Sequence, residues 1–304
     1  MTADDPLAAL EPPPDPRATW DLPPFGTLPA TIQLDPAVTR VLAPNASPMT
    51  LDGTNTYLVG EAGVGAVLLV DPGPDDQHHL AAVEAATGDL DAEVALILVT
   101  HHHHDHAAAA LPWASRFGCV VAAARQDVAG PDGIVLGADG LVALPGSGAT
   151  VAVVATPGHS ADHLAFRLPH GPLLTGDHIL GRGTSVVAHP DGDLGAYLDS
   201  LGRVLGLGPD ALYPGHGPEL VAGDPTDVIT YYRAHREFRV RQITTALADA
   251  PHTPRELVAR IYASTDPGLW DAAELSTRAA LEELQRQGVV ALGDDTARLV
   301  DAGG

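Results

Sequence analysis

Short apolar runs alternate with polar turns and helical stretches over most of the chain. The runs at 66–70, 94–99, 120–123 and 151–155 consist of aliphatic and β-branched residues and are bounded by polar ones. Their length and composition predict buried strands rather than helices. Between and after these runs, leucines and valines recur at helical spacing, as at 193–205, which predicts helices. The pattern therefore predicts that strands and helices alternate up to residue 225.

Composition and periodicity divide the chain into three parts. Residues 1–30 are rich in proline and predict an extended arm with no regular structure. Residues 31–225 hold the alternating strands and helices, and residues 226–304 are mostly helical in pattern. A chain of 304 residues is long enough for one large domain followed by a small one.

The C-terminal part is predicted to form three helices and a hairpin. A long helix covers 226–250, a second begins at Thr253 and Pro254, and a third covers 272–287 before Gly288. Two short apolar runs joined by a Gly-Asp-Asp-Thr turn follow, which is typical of a winged-helix-like module. Because acidic residues outnumber arginines on the third helix, we expect the module to serve packing or oligomerisation, as in a homodimer, before nucleic-acid binding.

Residues that bind metals are concentrated directly after the strand at 94–99. Five histidines and one aspartate lie within 101–106. Imidazole nitrogens and carboxylate oxygens are preferred ligands of borderline divalent metals, of which zinc is the commonest. A purification tag would lie at a terminus, and a solvated loop has no need of so many imidazoles. The spacing of these residues therefore indicates a site that could hold two metals side by side.

Three later turns each carry a further ligand residue after an apolar segment. They are 156–160 with His159, 175–178 with Asp177 and His178, and 213–217 with His216. Strand-end loops that bring such side chains to the first cluster are what a dinuclear hydrolase requires. No G-x-S-x-G elbow is present, so the expected nucleophile is a metal-activated hydroxide rather than a side chain.

Residues Thr100, His101, His103, Asp105 and His106 match a T-H-x-H-x-D-H motif. With this motif and the three turns, the chain resembles the metallo-β-lactamase superfamily, and its C-terminal module resembles the beta-lactamase-like protein 2 branch. The resemblance implies an α+β fold, namely a four-layer αββα sandwich with a small C-terminal winged-helix-like domain. One departure is that alanines occupy 107–110, where the family usually has two glycines.

The resemblance also implies which residues bind the metals. The implied ligands are His101, His103 and His159 for one metal, Asp105, His106 and His216 for the other, and Asp177 as the bridge between them. Two zinc ions are the expected cofactors, with iron or manganese as alternatives because two carboxylates are present.

Other residues near the ligands are expected to support the site or the chemistry. Position alone leaves Asp71 open between forming a turn and supporting the metal loop, and the resemblance favours support. Asp105 is expected to orient the nucleophile as well as bind metal, and His178 is a candidate proton donor to the leaving group. The remaining predicted supports are Thr100, His104 and Ser160. His163 and Tyr213 are weaker candidates, for which a structural role is favoured.

The charge of the chain narrows its expected partners. The formal net charge is −23, and all 16 basic residues are arginines. Residues 1–225 carry 27 acidic and 7 basic side chains, a net charge of −20, so this part is a poor non-specific surface for polyanions. The chain has no apolar run of ~20 residues that could span a membrane. The single cysteine, Cys119, and the lack of a leader at the acidic N-terminus predict a cytoplasmic setting.

Two substrate classes follow from the resemblance, and a third reading stands apart. The first is phosphodiester cleavage of single-stranded RNA, with Arg233, Arg236, Arg239 and Arg241 of the long helix available to the phosphate backbone. The second is hydrolysis of a small-molecule thioester, as by glyoxalase II or an acyl-carrier thioesterase. The acidic surface favours the second class, and the C-terminal module favours the first. A non-catalytic metal-binding scaffold or regulator is the third reading.

Overall fold

A computed structural model describes residues 6–300. Its first sheet contains seven strands, namely β1 (Thr31–Asp35), β2 (Val38–Leu42), β3 (Asn55–Val59), β4 (Gly65–Val70), β5 (Ala92–Leu98), β6 (Val120–Ala123) and β7 (Ile134–Val135). These strands are neighbours in chain order. The pairs from β1 to β4 are antiparallel, whereas those from β4 to β7 are parallel. The carboxyl ends of the parallel strands therefore meet at one edge of the sheet.

The second sheet contains five strands, namely β8 (Leu141–Ala143), β9 (Thr150–Ala155), β10 (Leu164–Arg167), β11 (Leu173–Gly176) and β12 (Leu212–Pro214). Their spatial order is β12-β11-β10-β9-β8. All neighbours are antiparallel except β11 and β12, which are parallel. Consequently β9, β11 and β12 all end towards the same edge of this sheet.

Helices cover the outer faces of both sheets. On the first sheet they are α1 (Gln77–Asp89), α2 (His104–Ala107), α3 (Ala110–Phe117) and α4 (Gln126–Ala129), and on the second they are α5 (Leu194–Leu207) and α6 (Pro225–Leu247). Leu98 and Phe166 meet in the core between the sheets, while Trp113 of α3 packs on the outer face of the first sheet. Tyr197 of α5 packs on the outer face of the second. The predicted four-layer αββα sandwich is confirmed.

The C-terminal domain follows α6. It consists of α7 (Pro254–Ile261), α8 (Trp270–Arg286) and a hairpin of β13 (Val290–Leu292) and β14 (Ala297–Leu299). Thr253 and Glu256 form a reciprocal capping box at the start of α7, which satisfies amide donors that would otherwise lack partners. Leucines of α7 and α8 pack with Val290 of the hairpin in a separate small core. The predicted winged-helix-like domain is confirmed.

Helix α6 contributes to the core behind the second sheet and to the core of the C-terminal domain. Asp224 caps its N-terminus by accepting a hydrogen bond from the amide of Thr226. Its first half contributes Ile229 and Tyr232 to the core behind the second sheet. Its second half contributes Ile243 and Leu247 to the core of the C-terminal domain. The helix therefore joins the two domains through buried side chains.

The predicted extended arm is described from residue 6 onwards, and its first five residues lie outside the described part. The described part contains two short 3-10 helices, Pro6–Ala9 and Pro16–Thr19, where no regular structure was expected. Arg17 is buried and donates hydrogen bonds to the carbonyls of Leu180, at 2.9 Å, and Gly183, at 2.6 Å. Asp15 pairs with the same guanidinium at 2.8 Å. The contacts of Arg17 with Leu180 and Gly183 join residues more than 160 positions apart in the chain, so no local pattern could reveal them.

Two further details concern elements of the first sheet. The helical segment between β5 and β6 is interrupted at Ala108 and Ala109, which separate α2 from α3. Pro112 lies in the first turn of α3, where its missing amide proton costs little.

Cys119 is half-buried, is not in a disulfide, and packs against the core beneath α1 and α3. Within 6–300, no helix has the length and apolar character needed to cross a membrane.

Candidate metal centre

Four loops that follow strands β5, β9, β11 and β12 meet where the carboxyl ends of these strands lie side by side. The segment after β5 supplies residues 101–106, and the loops after β9, β11 and β12 supply His159, Asp177 and His216. The structure therefore brings together the four segments that the sequence selects. All seven side chains predicted as ligands fall into groups whose donor atoms lie within 4.8 Å of one another.

The first group consists of three histidines. The Nδ1 atom of His103 lies 3.0 Å from Nε2 of His101 and 3.0 Å from Nε2 of His159. Burial, together with the neighbouring His106, holds the pKa of His101 well below its ordinary value. Burial also lowers the pKa of His103 to about 4. These imidazoles are thus neutral near pH 7 and offer lone pairs to a cation.

The second group consists of Asp105, His106 and His216. The Nε2 atoms of the two histidines lie 3.2 Å apart, and Oδ2 of Asp105 lies 3.2 Å from Nε2 of His216. Burial would lower the pKa of His216, but the charge of Asp177 and the hydrogen bonds to Asp105 and Asp177 together outweigh burial and raise that pKa to about 9. A metal that binds His216 must therefore displace a proton, so metal affinity should fall as the pH is lowered.

Asp177 lies between the two groups. Its Oδ1 lies 3.3 Å from Nε2 of His106 and 3.4 Å from Nε2 of His216, and its Oδ2 lies 3.6 Å from Nε2 of His159. Burial would raise its pKa, but His216 and His106 hold that pKa well below the ordinary value. Oδ1 is buried without a hydrogen-bond partner among the described residues. The carboxylate can therefore offer one oxygen to each group, and the donor set fits two divalent cations.

Asp71 and Thr100 hold the ligands from behind. Oδ2 of Asp71 lies 2.8 Å from Nδ1 of His106 and accepts a hydrogen bond from the hydroxyl of Thr100 at 2.8 Å. That hydroxyl lies 3.0 Å from Nδ1 of His101. A carboxylate that accepts from Nδ1–H leaves Nε2 free for a metal and fixes the ring orientation. These contacts support the role that the resemblance implies for Asp71.

Three other predicted site residues do not contact the ligands as expected. Ser160 donates to Oδ1 of Asp162 at 2.9 Å, and His104 is exposed. His178 is fully buried against Tyr197, and burial lowers the pKa of His178 to about 3. A proton donor must face the substrate and be protonated when it acts. The structure therefore does not support His178 as the proton donor.

The structure adds residues that position the ligand loops. His163 accepts the amide of Asp177 at Nε2, at 3.0 Å, and its Nδ1 lies 2.8 Å from the hydroxyl of Thr156. Nδ1 of His159 lies 2.6 Å from the carbonyl of Val186, which fixes that ring. Tyr213 lies outside the centre, because its hydroxyl donates to Asp35 at 2.8 Å. Beyond the predicted ligand His159, the sequence indicated only His163 and Tyr213, both as weak candidates.

The loop that carries His216 is held by strand β3. The side-chain amide of Asn55 donates to the carbonyls of Pro214, at 2.9 Å, and Gly217, at 2.8 Å. A side chain at Gly215 would place its Cβ 2.7 Å from Oδ1 of Asp177, so only glycine fits there. Asn55 is not among the candidates that the sequence indicated. The only sequence signal of its structural role is an amide side chain between two threonines at the start of a predicted strand.

Replacing Asp71 with asparagine is expected to lower metal affinity by about 10–100-fold while leaving the fold intact. Asparagine has nearly the same shape and tolerates the positive φ of 52° at this position, but it accepts more weakly from His106. Competition against a metal-binding dye measures the affinity, and thermal unfolding checks the fold. Unchanged affinity would mean that Asp71 only shapes the turn.

Two family models match the chain. The metallo-beta-lactamase superfamily model matches residues 49–216. The beta-lactamase associated winged helix domain model matches residues 253–298. The first match covers all the predicted metal ligands, and the second covers α7, α8 and most of the hairpin.

Relatives with known names resemble the chain over most of its length. A beta-lactamase-like protein 2 homolog from Drosophila melanogaster is 33% identical over 286 residues, which is 86% of this chain and 92% of the relative. An atrochrysone carboxyl ACP thioesterase from Aspergillus chevalieri is 35% identical over 229 residues, which is 73% of this chain and 70% of the relative.

Solved structures show the same fold. A beta-lactamase domain protein from Burkholderia ambifaria has a TM-score of 0.79 at 24% identity, covering 95% of this chain and 100% of that one. A metallo-beta-lactamase family protein from Thermus thermophilus has a TM-score of 0.74 at 24% identity, covering 88% and 100%. The chain is thus a member of the metallo-β-lactamase superfamily, whose proteins are generally metal-dependent hydrolases, and it carries the winged helix domain associated with that family.

Proposed function

We propose that the protein hydrolyses a thioester at this centre. The proposal rests on the donor set, which fits two cations, and on the arginines of α6, which among the described residues do not form the continuous basic path that RNA would need. A relative that is 35% identical is named as a thioesterase, which adds support. The sequence places RNA cleavage first because of four arginines on the long helix. Their positions in the structure change that order.

The arginines of α6 do not form an exposed stripe. Arg236 is buried and donates to the carbonyl of Ser185. Arg233 is exposed and pairs with Glu237 at 3.1 Å, and Arg239 is half-buried over the ring of Tyr262. Arg241 is exposed beside the ring of Phe238. A protein that binds along an RNA backbone must neutralise several successive phosphates. This helix offers no such path, and that observation carries the preference for a small substrate.

The chain's own residues would divide the work as follows. His101, His103 and His159 would hold one cation, and Asp105, His106 and His216 the other, with Asp177 between them. Such cations lower the pKa of water and polarise the thioester carbonyl. Asp105 has a side chain that is 31% exposed, so its carboxylate is accessible to water and to a substrate. Burial would raise its pKa, but the hydrogen bond from His216 together with the charges of His106 and His216 lowers it to about 2, so the carboxylate stays ionised and can orient an attacking water.

Cleavage of single-stranded RNA is the second candidate. It is favoured by arginine side chains that lie in a cleft next to the metal centre, where a phosphate could bind. Nuclease activity that used these arginines should weaken steeply with added salt, because binding to phosphates releases counterions.

Parallel assays on two substrates test the proposal. The metal-loaded protein is given an acyl thioester of N-acetylcysteamine and, separately, a labelled single-stranded RNA. We expect release of free thiol that stops when a chelator removes the metal, and no cleavage of the RNA. Chelator-sensitive RNA cleavage without thioester hydrolysis would overturn the proposal in favour of the second candidate. Turnover of neither substrate would exclude both.

A further inference from the structure

A cleft of about 380 Å³ lies between the two domains, beside the metal centre. One wall is the loop that follows Asp177, and the opposite wall is formed by α6 and α8. This volume is within the range of small-molecule sites. No residue of the metal centre lines the cleft, so it is a separate feature whose ligand remains to be assigned.

The charge of the cleft is opposite to that of the protein. Arg182, Arg236 and Arg239 line it together with His235, and no aspartate or glutamate is among its lining residues. The whole chain has 39 acidic residues and a net charge of −23. Three cations without a carboxylate are therefore unusual on this protein, and they create a local positive potential suited to an anion. Burial, together with Arg236 and Arg239, lowers the pKa of His235 to about 3, so the arginines alone carry the charge.

Several guanidinium donors in the cleft lack partners. Among the described residues, Nε and Nη2 of Arg182 are buried without a hydrogen bond, as are Nε of Arg236 and Nε of Arg239. Arg236 is only 6% exposed. Leaving buried donors of charged groups unpaired costs free energy unless a ligand or water satisfies them. A bound anion would satisfy these donors, and guanidinium groups match the geometry of phosphate oxygens.

The cleft is one residue layer from the metal centre. Ser185 and Val186 line it, and the same two residues contact His159: the Val186 carbonyl lies 2.6 Å and the Ser185 hydroxyl 3.2 Å from Nδ1. Met49, Leu51 and Leu180 add an apolar surface beside the arginines. A molecule with an anionic end and a less polar arm therefore fits the cleft, with its arm directed along the wall towards the metal-binding side chains.

We propose that this cleft binds the phosphate of a phosphopantetheine thioester, so that the arm runs along the apolar wall and presents the acyl carbonyl to the metal centre. This inference rests on the proposed thioester hydrolysis and names the class of its substrate. Coenzyme A and carrier proteins share this phosphate-bearing arm. A polynucleotide fits less well, because most of the described arginines outside the cleft pair with carboxylates, as Arg278 does with Glu274 at 2.7 Å.

Kinetics on matched substrates test the phosphate contact. The substrates are an acyl-phosphopantetheine and the same acyl-pantetheine without phosphate. We expect the ratio of their kcat/KM values to fall about tenfold in Arg182→Gln and in Arg239→Gln, as for the loss of one hydrogen bond to a charged group. Arg233→Gln is the control, because Arg233 lies on α6 like Arg239 but pairs with Glu237 on the surface. The ratio of kcat/KM values in this control should match that of the wild type. Acyl-coenzyme A, as a third substrate, distinguishes the coenzyme from a carrier-bound arm.

Binding provides a readout that does not depend on catalysis. Calorimetry compares 4′-phosphopantothenate with pantothenate on the full-length protein, and we expect at least tenfold tighter binding of the phosphorylated compound, lost in Arg239→Gln. Equal binding of the two compounds would overturn the cleft proposal even if thioesters are hydrolysed. Binding of single-stranded RNA through these arginines, without binding of 4′-phosphopantothenate, would also overturn it. Phosphate-dependent binding without thioester turnover would uphold the phosphate site and overturn the proposed function.

Discussion

Replacing Asp177 with alanine is expected to lower turnover by about a thousandfold and to reduce the metal content of the purified protein. Its two oxygens lie 3.3–3.6 Å from imidazole nitrogens of both groups, so one substitution would remove a ligand from each of the two predicted cation sites. Losing several kcal/mol of charge stabilisation is the expected scale, and about 4 kcal/mol corresponds to a thousandfold change in rate. His103→Ala should act similarly, because it removes the middle residue of the first group.

Elemental analysis and steady-state kinetics measure these effects, and circular dichroism checks that the variants remain folded. Asp127→Ala is the matched control, because this carboxylate is exposed and pairs with Arg125 outside the site. Full activity and full metal content in either ligand variant would show that the ligand set is wrong. Loss of activity in the control as well would point to a general effect on folding.

Removal of Arg40 is expected to have the largest effect on stability. Arg40 is fully buried in β2, and its Nε lies 2.6 Å from Oε1 of Glu219, whose side chain is 12% exposed. Arg40→Met should lower the free energy of unfolding by about 3 kcal/mol, because it leaves a largely buried carboxylate without its cation. Arg40 also donates to Asn55, which holds the loop of His216, so metal affinity should fall too.

Urea unfolding of a double-mutant cycle tests this expectation. Arg40→Met combined with Glu219→Leu should recover most of the lost stability, because the unpaired charge is then absent. If the single variant were as stable as the wild type, the pair would contribute nothing, and if the double variant stayed as unstable as Arg40→Met, lost packing rather than charge would be the cause.

The metal centre was largely predictable from the sequence because its ligands occur in short local motifs. His101 to His106 directly follow a recognisable strand, and the later turns combine glycine with His or Asp. The sandwich and the winged helix domain were predictable for a similar reason, since the resemblance extends over both. The assignment of individual metal ligands stays a prediction that the proposed variants test.

Features that depend on distant contacts were not predictable. Arg17 binds the loop after Asp177 through contacts more than 160 positions apart in the chain. Helical spacing indicated where the arginines of α6 lie along the helix, but it could not show that Arg236 is buried under Ser185. His178 follows a predicted ligand directly, yet it packs against Tyr197, since neighbours at a turn need not face the same way.

The sharing of α6 between both cores limits how this protein can be recombined. A chimera that replaces the C-terminal domain from α7 onwards would keep α6 but leave Ile243 and Leu247 facing a foreign partner. One that replaces α6 as well would strip Ile229 and Tyr232 from the outer layer of the sandwich. Exchange of whole domains between relatives is therefore expected to succeed only when the two halves of this helix are matched to their respective neighbours.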